Sequence, residues 1–222
     1  MTRLTSLVEV ASKIQEIVRD GERTIVAIVG PPGAGKSTIA DALAELMAPA
    51  AVVLPMDGFH LPKSRLHELG RLDRMGAPDT FDVDGFLAVL AQLKPAFGNS
   101  GNRVLAPGFN REIEEPVPGA IDISPEFSIV IVEGNYLLLG DGDGDGAGDD
   151  AGGWGEASAA FDVSFFVEVT HDVRIERLVA RHVRFGKTEA DARAWALGPD
   201  EANARAIQAT AARATYTIAL DD

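Results

Sequence analysis

The stretch from Ile25 to Thr38 constrains the fold more than any other part of the chain. It contains a predicted strand, a glycine-rich turn and the start of a helix. The apolar run IVAIV has no polar break, which is typical of a strand buried on both faces of a parallel sheet. The residues after it match G-x-x-x-x-G-K-[ST] in full. Glycines allow backbone N–H groups to turn inward around phosphate oxygens. The sequence therefore predicts a phosphate-binding loop.

The side chains of this loop suit a nucleoside triphosphate with its metal. Lys36 would place a positive charge on the β- and γ-phosphates, and Ser37 would offer its hydroxyl to Mg²⁺. The helix that begins near Lys36 would point its positive end at the anion. The predicted nucleotide-binding residues of the loop are Gly30, Pro31, Pro32, Gly33, Ala34, Gly35, Lys36, Ser37 and Thr38.

Composition and charge exclude several classes of protein. The 222 residues are 46% apolar, enough for one good core, so we expect a single domain over 1–222. The absence of cysteine excludes a disulfide framework and a cysteine nucleophile. The net charge of −14 disfavours nucleic acid and anionic membranes as partners, and no apolar run is long enough to span a bilayer. We expect a cytoplasmic protein with a local basic pocket for the nucleotide; a homodimer is left open.

Two acids follow predicted strands. Asp57 comes directly after a strand predicted for residues 50–56, and Glu133 follows one predicted for 127–132. Because ligands bind beyond the carboxyl ends of parallel strands, we expect both acids beside the phosphate loop. A carboxylate there can accept the proton of an attacking hydroxyl or bind Mg²⁺. The alternatives are a turn aspartate and a surface glutamate. His60 could equally be a substrate contact or a packed imidazole.

A helix that Asp172 can cap carries four arginines at steps of 3, 4 and 3 residues: Arg174, Arg177, Arg181 and Arg184. This spacing puts them on one helical face. Guanidinium groups suit phosphoryl oxygens, so we interpret the helix as a lid over the phosphates. The alternative is a solvated basic face.

The remaining segments give a coarse α/β pattern. Residues 107–116 are predicted to be an irregular loop, and 140–153, which contain only Gly, Asp and Ala, a flexible surface insertion. An EF-hand reading of that insertion fails because Gly152 occupies the position of the required glutamate. The other predicted helices are 3–20, 36–48, 83–93, 188–196 and 200–214, and the other predicted strands are 24–29, 104–106, 161–169 and 216–220.

Six segments occur in a characteristic order: the phosphate loop, PMDGFH, RMGAPDTFD, PGFNREIEEP, VEGNYLLL and the arginine helix. In this order they resemble the phosphoribulokinase/uridine kinase/pantothenate kinase family of P-loop kinases, nearest the small bacterial nucleoside/nucleotide kinase or fructose-transport-system kinase branch. The resemblance spans residues 24–214. It implies an α/β P-loop NTPase fold: a doubly wound, five-stranded parallel sheet with helices on both faces and an arginine-bearing lid.

The resemblance also implies roles for individual residues. Asp57 would be the general base, with Lys36 and Arg177 as further catalytic residues, and Ser37 and Glu133 would hold Mg²⁺. Arg177 and Arg181 would contact the phosphates of ATP, and Asn203 would lie near the adenine. The residues implied for the acceptor pocket are Asp57, His60, Arg74 and Arg111.

The implied activity is ATP- and Mg²⁺-dependent transfer of the γ-phosphate to a hydroxyl of a small polar metabolite, such as a sugar, sugar acid or nucleoside. Two alternatives share the same loop: a switch that hydrolyses a nucleoside triphosphate, and a regulator that only binds a nucleotide. The chain has no N-K-x-D motif, which argues against a GTPase.

Overall fold

The computed structural model describes residues 2–94, 103–140 and 153–220, which contain eight strands and eight α-helices. The strands are β1 (Thr2–Leu4), β2 (Thr24–Val29), β3 (Ala51–Pro55), β4 (Val104–Asn110), β5 (Glu115–Ile123), β6 (Ile129–Gly134), β7 (Val163–Val167) and β8 (Tyr216–Ile218). The helices are α1 (Leu7–Gln15), α2 (Lys36–Leu46), α3 (Lys63–Glu68), α4 (Val83–Leu93), α5 (Trp154–Ala157), α6 (His171–Arg184), α7 (Glu189–Leu197) and α8 (Pro199–Ala209).

Six strands form one sheet in the order β1-β8-β7-β2-β6-β3, and every neighbouring pair is parallel. The predicted parallel sheet is confirmed, and β1 extends the expected five strands to six by pairing with β8. Residues 3–20 were expected to form one helix, but Leu4 is buried in the sheet. The helix begins only after Ser6, whose side chain accepts a hydrogen bond from the Glu9 backbone N–H.

The central strand β2 is buried on both faces, as its unbroken apolar run predicts. Ile25, Ala27 and Val29 pack with α4 on one face, while Val26 and Ile28 pack with α1 and α2 on the other. Successive side chains of a strand point to opposite faces, so this alternation divides the core into two layers. The doubly wound arrangement with helices on both faces is confirmed.

The segment 107–116 corrects a prediction, because most of it is strand. β4 and β5 form an antiparallel hairpin, and only residues 111–114 form the turn between them. Its prolines and glycines argued for a loop, but Pro107 sits where the register shifts between Ala106 and Gly108. A proline is tolerated at such a bulge because no ladder hydrogen bond is lost there.

The flexible insertion predicted for 140–153 lies almost wholly outside the described residues, which resume at Gly153. None of the helices in the described ranges is both long and apolar enough to cross a bilayer.

Candidate active site

The strand register brings the predicted acids to one edge of the sheet. Glu133, near the end of β6, pairs with Ile28 of β2 on one side and with Pro55 of β3 on the other. The phosphate loop leaves β2 just beyond this level, and Asp57 follows the end of β3 by two residues. All three elements therefore meet at the carboxyl ends of the strands, where open parallel sheets bind ligands.

The phosphate loop has a backbone that glycine adopts far more readily than other residues. Gly33 has a φ of +83° and Gly35 a φ of +90°, values in the left-handed region. A methyl group at Gly33 would also lie 2.9 Å from the carbonyl oxygen of Arg174, and one at Gly35 would lie 3.7 Å from Nη1 of Arg177. Helix α6 is therefore packed directly against the loop.

Lys36 is a nearly buried cation at the start of α2. Its side chain donates a hydrogen bond from Nζ to the carbonyl oxygen of Pro31 at 3.1 Å, and the residue is 8% exposed. Burial lowers the pKa of Lys36 to about 8, although the negative charges of Glu133 and Asp57 oppose this shift. A desolvated ammonium group of this kind is stabilised by an incoming phosphate.

Ser37 and Glu133 form a pair suited to Mg²⁺. The Ser37 hydroxyl donates to Glu133 Oε1 at 3.0 Å. Burial and then repulsion from Asp57 raise the pKa of the Glu133 carboxyl, while Lys36 and Ser37 act in the opposite direction. Mg²⁺ commonly takes one or two protein carboxylates and completes its octahedron with phosphates and water. The pair fits this pattern, and the described ranges contain no group of three or more acidic or imidazole side chains that could hold a metal alone.

Asp57 lies in a 3-10 turn, Met56–Phe59, that follows β3. Its Oδ2 accepts a hydrogen bond from Arg111 Nη2 at 2.6 Å, and its side chain is 23% exposed. Burial disfavours the charged form, but the positive potential of His60, Arg111 and Lys36 lowers the pKa of Asp57 below its ordinary value. The carboxylate is therefore ionised at neutral pH and can accept a hydrogen bond from a substrate hydroxyl.

The space around Gly58 explains why a glycine follows Asp57 in the sequence. A methyl group at this position would lie 2.1 Å from the carbonyl oxygen of Pro107 in β4, closer than any real contact. The hairpin therefore presses directly on the turn that carries Asp57, and the same hairpin ends in the turn that carries Arg111. The close approach fixes the aspartate and its partner relative to each other.

We expect Gly58→Ala to lower the free energy of unfolding by about 1–3 kcal/mol, the usual cost of overpacking, and to lower kcat by displacing Asp57. Thermal unfolding and steady-state kinetics measure the two effects. Gly21→Ala is the matched control, since Gly21 has a φ of +78° but no described atom within 4 Å of an added methyl group. That control should be less stable through backbone strain alone and fully active. Equal kcat in Gly58→Ala and the wild type would contradict this role.

His60 packs beside Asp57. Its Nδ1 lies 2.8 Å from the carbonyl oxygen of Asp57, and its ring lies 4.0 Å from that of Phe81 and 4.7 Å from that of Phe109, between centroids. His60 also lines the cavity described next. The imidazole is therefore packed, as one interpretation of the sequence has it, and it also lines the cavity. A contact between His60 and a substrate stays a prediction.

A cavity of about 350 Å³ lies above these groups. The predicted residues that line it are Pro32, Lys36, Ser37, Asp57, His60, Arg111, Glu133, Arg181 and Asn203. The lining residues that the sequence analysis missed include Lys63, Asn135, His182, Lys187, Trp195 and Asp200. Asn135 could have been found, because it follows a strand end as Asp57 does. Lys187 lies in the connection between α6 and α7, and the rest lie in α3, α6, α7 and α8. Periodicity does not reveal which of these side chains faces a cavity.

A second, wider groove of about 960 Å³ lies beside the phosphate loop. Ala34, Gly35 and Thr38 form its floor, and Arg177 of α6 and Gln208 of α8 line it from above. The loop therefore separates two spaces, one of which contains Asp57 and the other Arg177.

Two of the predicted site residues, Arg74 and Asn203, form contacts within the protein. Arg74 pairs with Asp79 at 2.8 Å between Nη2 and Oδ2 and is absent from the described lining of the first cavity. Asn203 donates from Nδ2 to the carbonyl oxygen of Gly76 at 3.3 Å. It lines the cavity of Asp57 and not the groove beside the loop.

The four arginines of α6 have different surroundings. Arg174 is buried and forms an ion pair with Glu201 of α8, so its role is to join two helices. Arg177 lines the groove, Arg181 lines the first cavity, and Arg184 lies over the ring of Phe185 at 5.8 Å. Two of the four thus face the space above the phosphate loop.

The sequence and the fold of this chain are similar to those of known P-loop kinases. A family model described as the P-loop containing region of the AAA domain matches residues 10–54. A "putative uridine kinase" of Schizosaccharomyces pombe is 30% identical over 195 residues, which cover 82% of this chain and 76% of that protein. The crystal structure of a "putative fructose transport system kinase" from Silicibacter sp. is 38% identical, with a TM-score of 0.81, and the match covers 96% of this chain and 99% of that one. A pantothenate kinase of Chelativorans sp. is 30% identical over 170 residues, 74% of this chain and 50% of that protein.

Fold and site together define a P-loop kinase that transfers a phosphoryl group from ATP to a small metabolite. The first two of these relatives match over most of their own length at 30% identity or more, which shows the family. The chain belongs to the phosphoribulokinase/uridine kinase/pantothenate kinase family, as its motifs predicted.

Proposed function

We propose that this enzyme transfers the γ-phosphate of ATP, with Mg²⁺, to a hydroxyl group of a sugar, sugar acid or nucleoside. The observation that carries the proposal is the convergence of Lys36, Asp57 and the Ser37–Glu133 pair on one cavity. Its volume of about 350 Å³ falls in the range of small-ligand sites.

The nucleotide would occupy the wider groove and the phosphate loop. Its nucleoside part would lie against Thr38 and Gln208, which line that groove, and Arg177 would contact the phosphate chain. The γ-phosphate would pass over the loop to Lys36, which lines the cavity of Asp57. In this arrangement Asn203, which lies on the far side of the loop, contacts the acceptor instead of the adenine.

Ser37 and Glu133 would hold Mg²⁺, whose charge neutralises the β- and γ-phosphate oxygens. Their oxygens already lie together at the edge of the sheet. Ser37 belongs to α2 and Glu133 to β6, so each oxygen is positioned by its own element.

Asp57 would bind the acceptor hydroxyl and take its proton as the oxygen attacks in line. Arg111 holds this carboxylate in position at 2.6 Å, and Lys36 and Arg181 would stabilise the negative charge on the transferring group. Because the transition state of phosphoryl transfer is loose, such positioning and charge stabilisation supply most of the catalysis.

The experiment that tests the proposal is ATP consumption in the presence of a panel of sugars, polyols, sugar acids and nucleosides, with the product identified by mass. We expect ATP consumption to depend on at least one acceptor, whose mass increases by one phosphoryl group. Consumption at the same rate without any acceptor would favour a hydrolytic switch, and tight ATP binding without consumption would favour a regulator.

A further inference from the structure

A small basic recess of about 130 Å³ adjoins the cavity of Asp57, which is the main cavity of the site. It shares Arg111, Glu114, Arg181, His182 and Lys187 with the main cavity. The recess therefore continues the space in which an acceptor hydroxyl would meet Asp57.

Several charges around the recess are already paired within the protein. Arg111 binds Asp57 at 2.6 Å, and Glu114 lies 3.3 Å from Nζ of Lys63. His182 Nε2 lies 2.7 Å from Oδ2 of the buried Asp200. Each of these three carboxylates therefore already has a close partner within the protein.

Two cations of the recess remain without a carboxylate in ion-pair distance among the residues that the structure describes. Arg181 is half-buried in the wall. Lys187 lies over the ring of Trp195, with Nζ 4.6 Å from the ring centroid, and Trp195 lines the main cavity. An aromatic face attracts a cation but leaves its charge uncompensated. In a chain with a net charge of −14, a cavity-lining lysine that contacts an aromatic face instead of a carboxylate favours an anionic ligand.

We infer that the phosphate acceptor is itself an anion, with a carboxylate or phosphate group that binds Lys187 in this recess while its reacting hydroxyl lies at Asp57. The inference rests on the proposed function. Arg181 can serve the γ-phosphate of ATP, which leaves Lys187 for the acceptor. An ammonium group on an aromatic wall binds either oxyanion as a point charge.

The transfer step keeps the anionic group unchanged. The hydroxyl oxygen forms the new bond to the γ-phosphorus, the bond from phosphorus to the bridging oxygen breaks, and ADP leaves with that electron pair. The hydroxyl proton passes to Asp57 and then to solvent. The group at Lys187 only orients the acceptor.

The first test compares acceptors with the same carbon skeleton: glycerol, glycerate and glycerol 3-phosphate, and glucose, gluconate and glucose 6-phosphate. We expect kcat/KM to be at least about 10-fold higher for the carboxylate or the phosphate than for the neutral member of a series, since a charged hydrogen bond is worth this much. Comparison of the carboxylate with the phosphate in each series shows which oxyanion the recess binds. A neutral member with the highest kcat/KM in both series would overturn the inference.

The second test removes the charge of Lys187. Lys187→Met should raise the KM of the anionic acceptor about 10–100-fold and leave the KM of ATP unchanged, whereas Lys187→Arg should keep most of the affinity. The control Lys13→Met removes the same charge on α1, where Lys13 pairs with Glu16 at 2.8 Å, and should behave as the wild type. An unchanged acceptor KM in Lys187→Met would overturn the inference.

Turnover and binding measurements together separate the anionic acceptor from the kinase activity itself. Turnover of a neutral acceptor alone, lost in Asp57→Asn, would keep the kinase and reject the anionic acceptor. If no compound is turned over, calorimetry with glycerate, gluconate and the two sugar phosphates decides. Binding that Lys187→Met abolishes would support the recess and count against the proposed transfer, and absence of binding would reject both.

Discussion

Asp57→Asn should lower kcat by about 10²–10⁴-fold, the usual contribution of a positioned general base, while ATP still binds. The carboxylate accepts a hydrogen bond from Arg111 at 2.6 Å and lines the acceptor cavity, so the isosteric amide keeps the packing but loses the basic oxygen. ATP affinity should stay the same or rise, because a negative charge near the γ-phosphate disappears. Steady-state kinetics and calorimetric titration with ATP measure the two quantities.

The control for this variant is Asp41→Asn, which removes the same charge from an exposed position of α2. It should retain wild-type kcat. Wild-type kcat in Asp57→Asn would remove Asp57 from the mechanism, and loss of ATP binding in the same variant would mean that the residue serves the nucleotide instead.

Lys36→Met should lower kcat/KM by at least about 10²-fold, comparable to the loss of an oxyanion-stabilising donor. The buried ammonium lies at the start of α2, where the transferring group would develop charge, and no other cation begins that helix. The increase of Tm that ATP causes in the wild type should also be lost, because the variant binds ATP weakly. Undiminished kcat/KM would contradict the role of Lys36.

The same substitution should stabilise the nucleotide-free protein. Burial lowers the pKa of Lys36 from 10.5 to about 8, which disfavours the folded state by about 3 kcal/mol at neutral pH. Loss of the hydrogen bond to Pro31 offsets about 1 kcal/mol of this gain. Between pH 8 and 10.5 the unfolded chain binds more protons at this site, so the Lys36 contribution to wild-type stability rises with pH there. Denaturant unfolding between pH 8 and 10.5 measures this effect. The free energy of unfolding of the wild type should contain the rise due to Lys36, and that of Lys36→Met should lack it. Lower stability of the variant at pH 7 would contradict the assignment of a destabilising buried charge.

The fold was largely predictable because its signals are local. The unbroken apolar run of β2 and the glycines of the phosphate loop follow from burial on two faces and from left-handed backbone, both of which act within a few residues. The hairpin of β4 and β5 was missed because Pro107 argues against a strand unless its position at a bulge is known. The strand β1 was missed because it is three residues long and depends on β8 at the other end of the chain.

The candidate site was predictable only in part, for a related reason. Asp57 and Glu133 could be located because parallel strands end at a common edge. Lys187 lies in the connection between α6 and α7, and Trp195 lies in α7. Only tertiary packing determines that their side chains face the cavity. The contacts of Arg74 and Asn203 were equally hidden, since packing pairs the first with Asp79 and places the second at the cavity of Asp57.

The most direct test of the central claim follows the γ-phosphorus of labelled ATP when wild type and Asp57→Asn are incubated with the best acceptor of the panel. If a hydroxyl bound at Asp57 attacks the phosphate held by Lys36, the wild type should place the label in an organic phosphate ester, and Asp57→Asn should do so at least about 100-fold more slowly. Label found only in inorganic phosphate, at a rate that is the same with and without acceptor, would contradict the account.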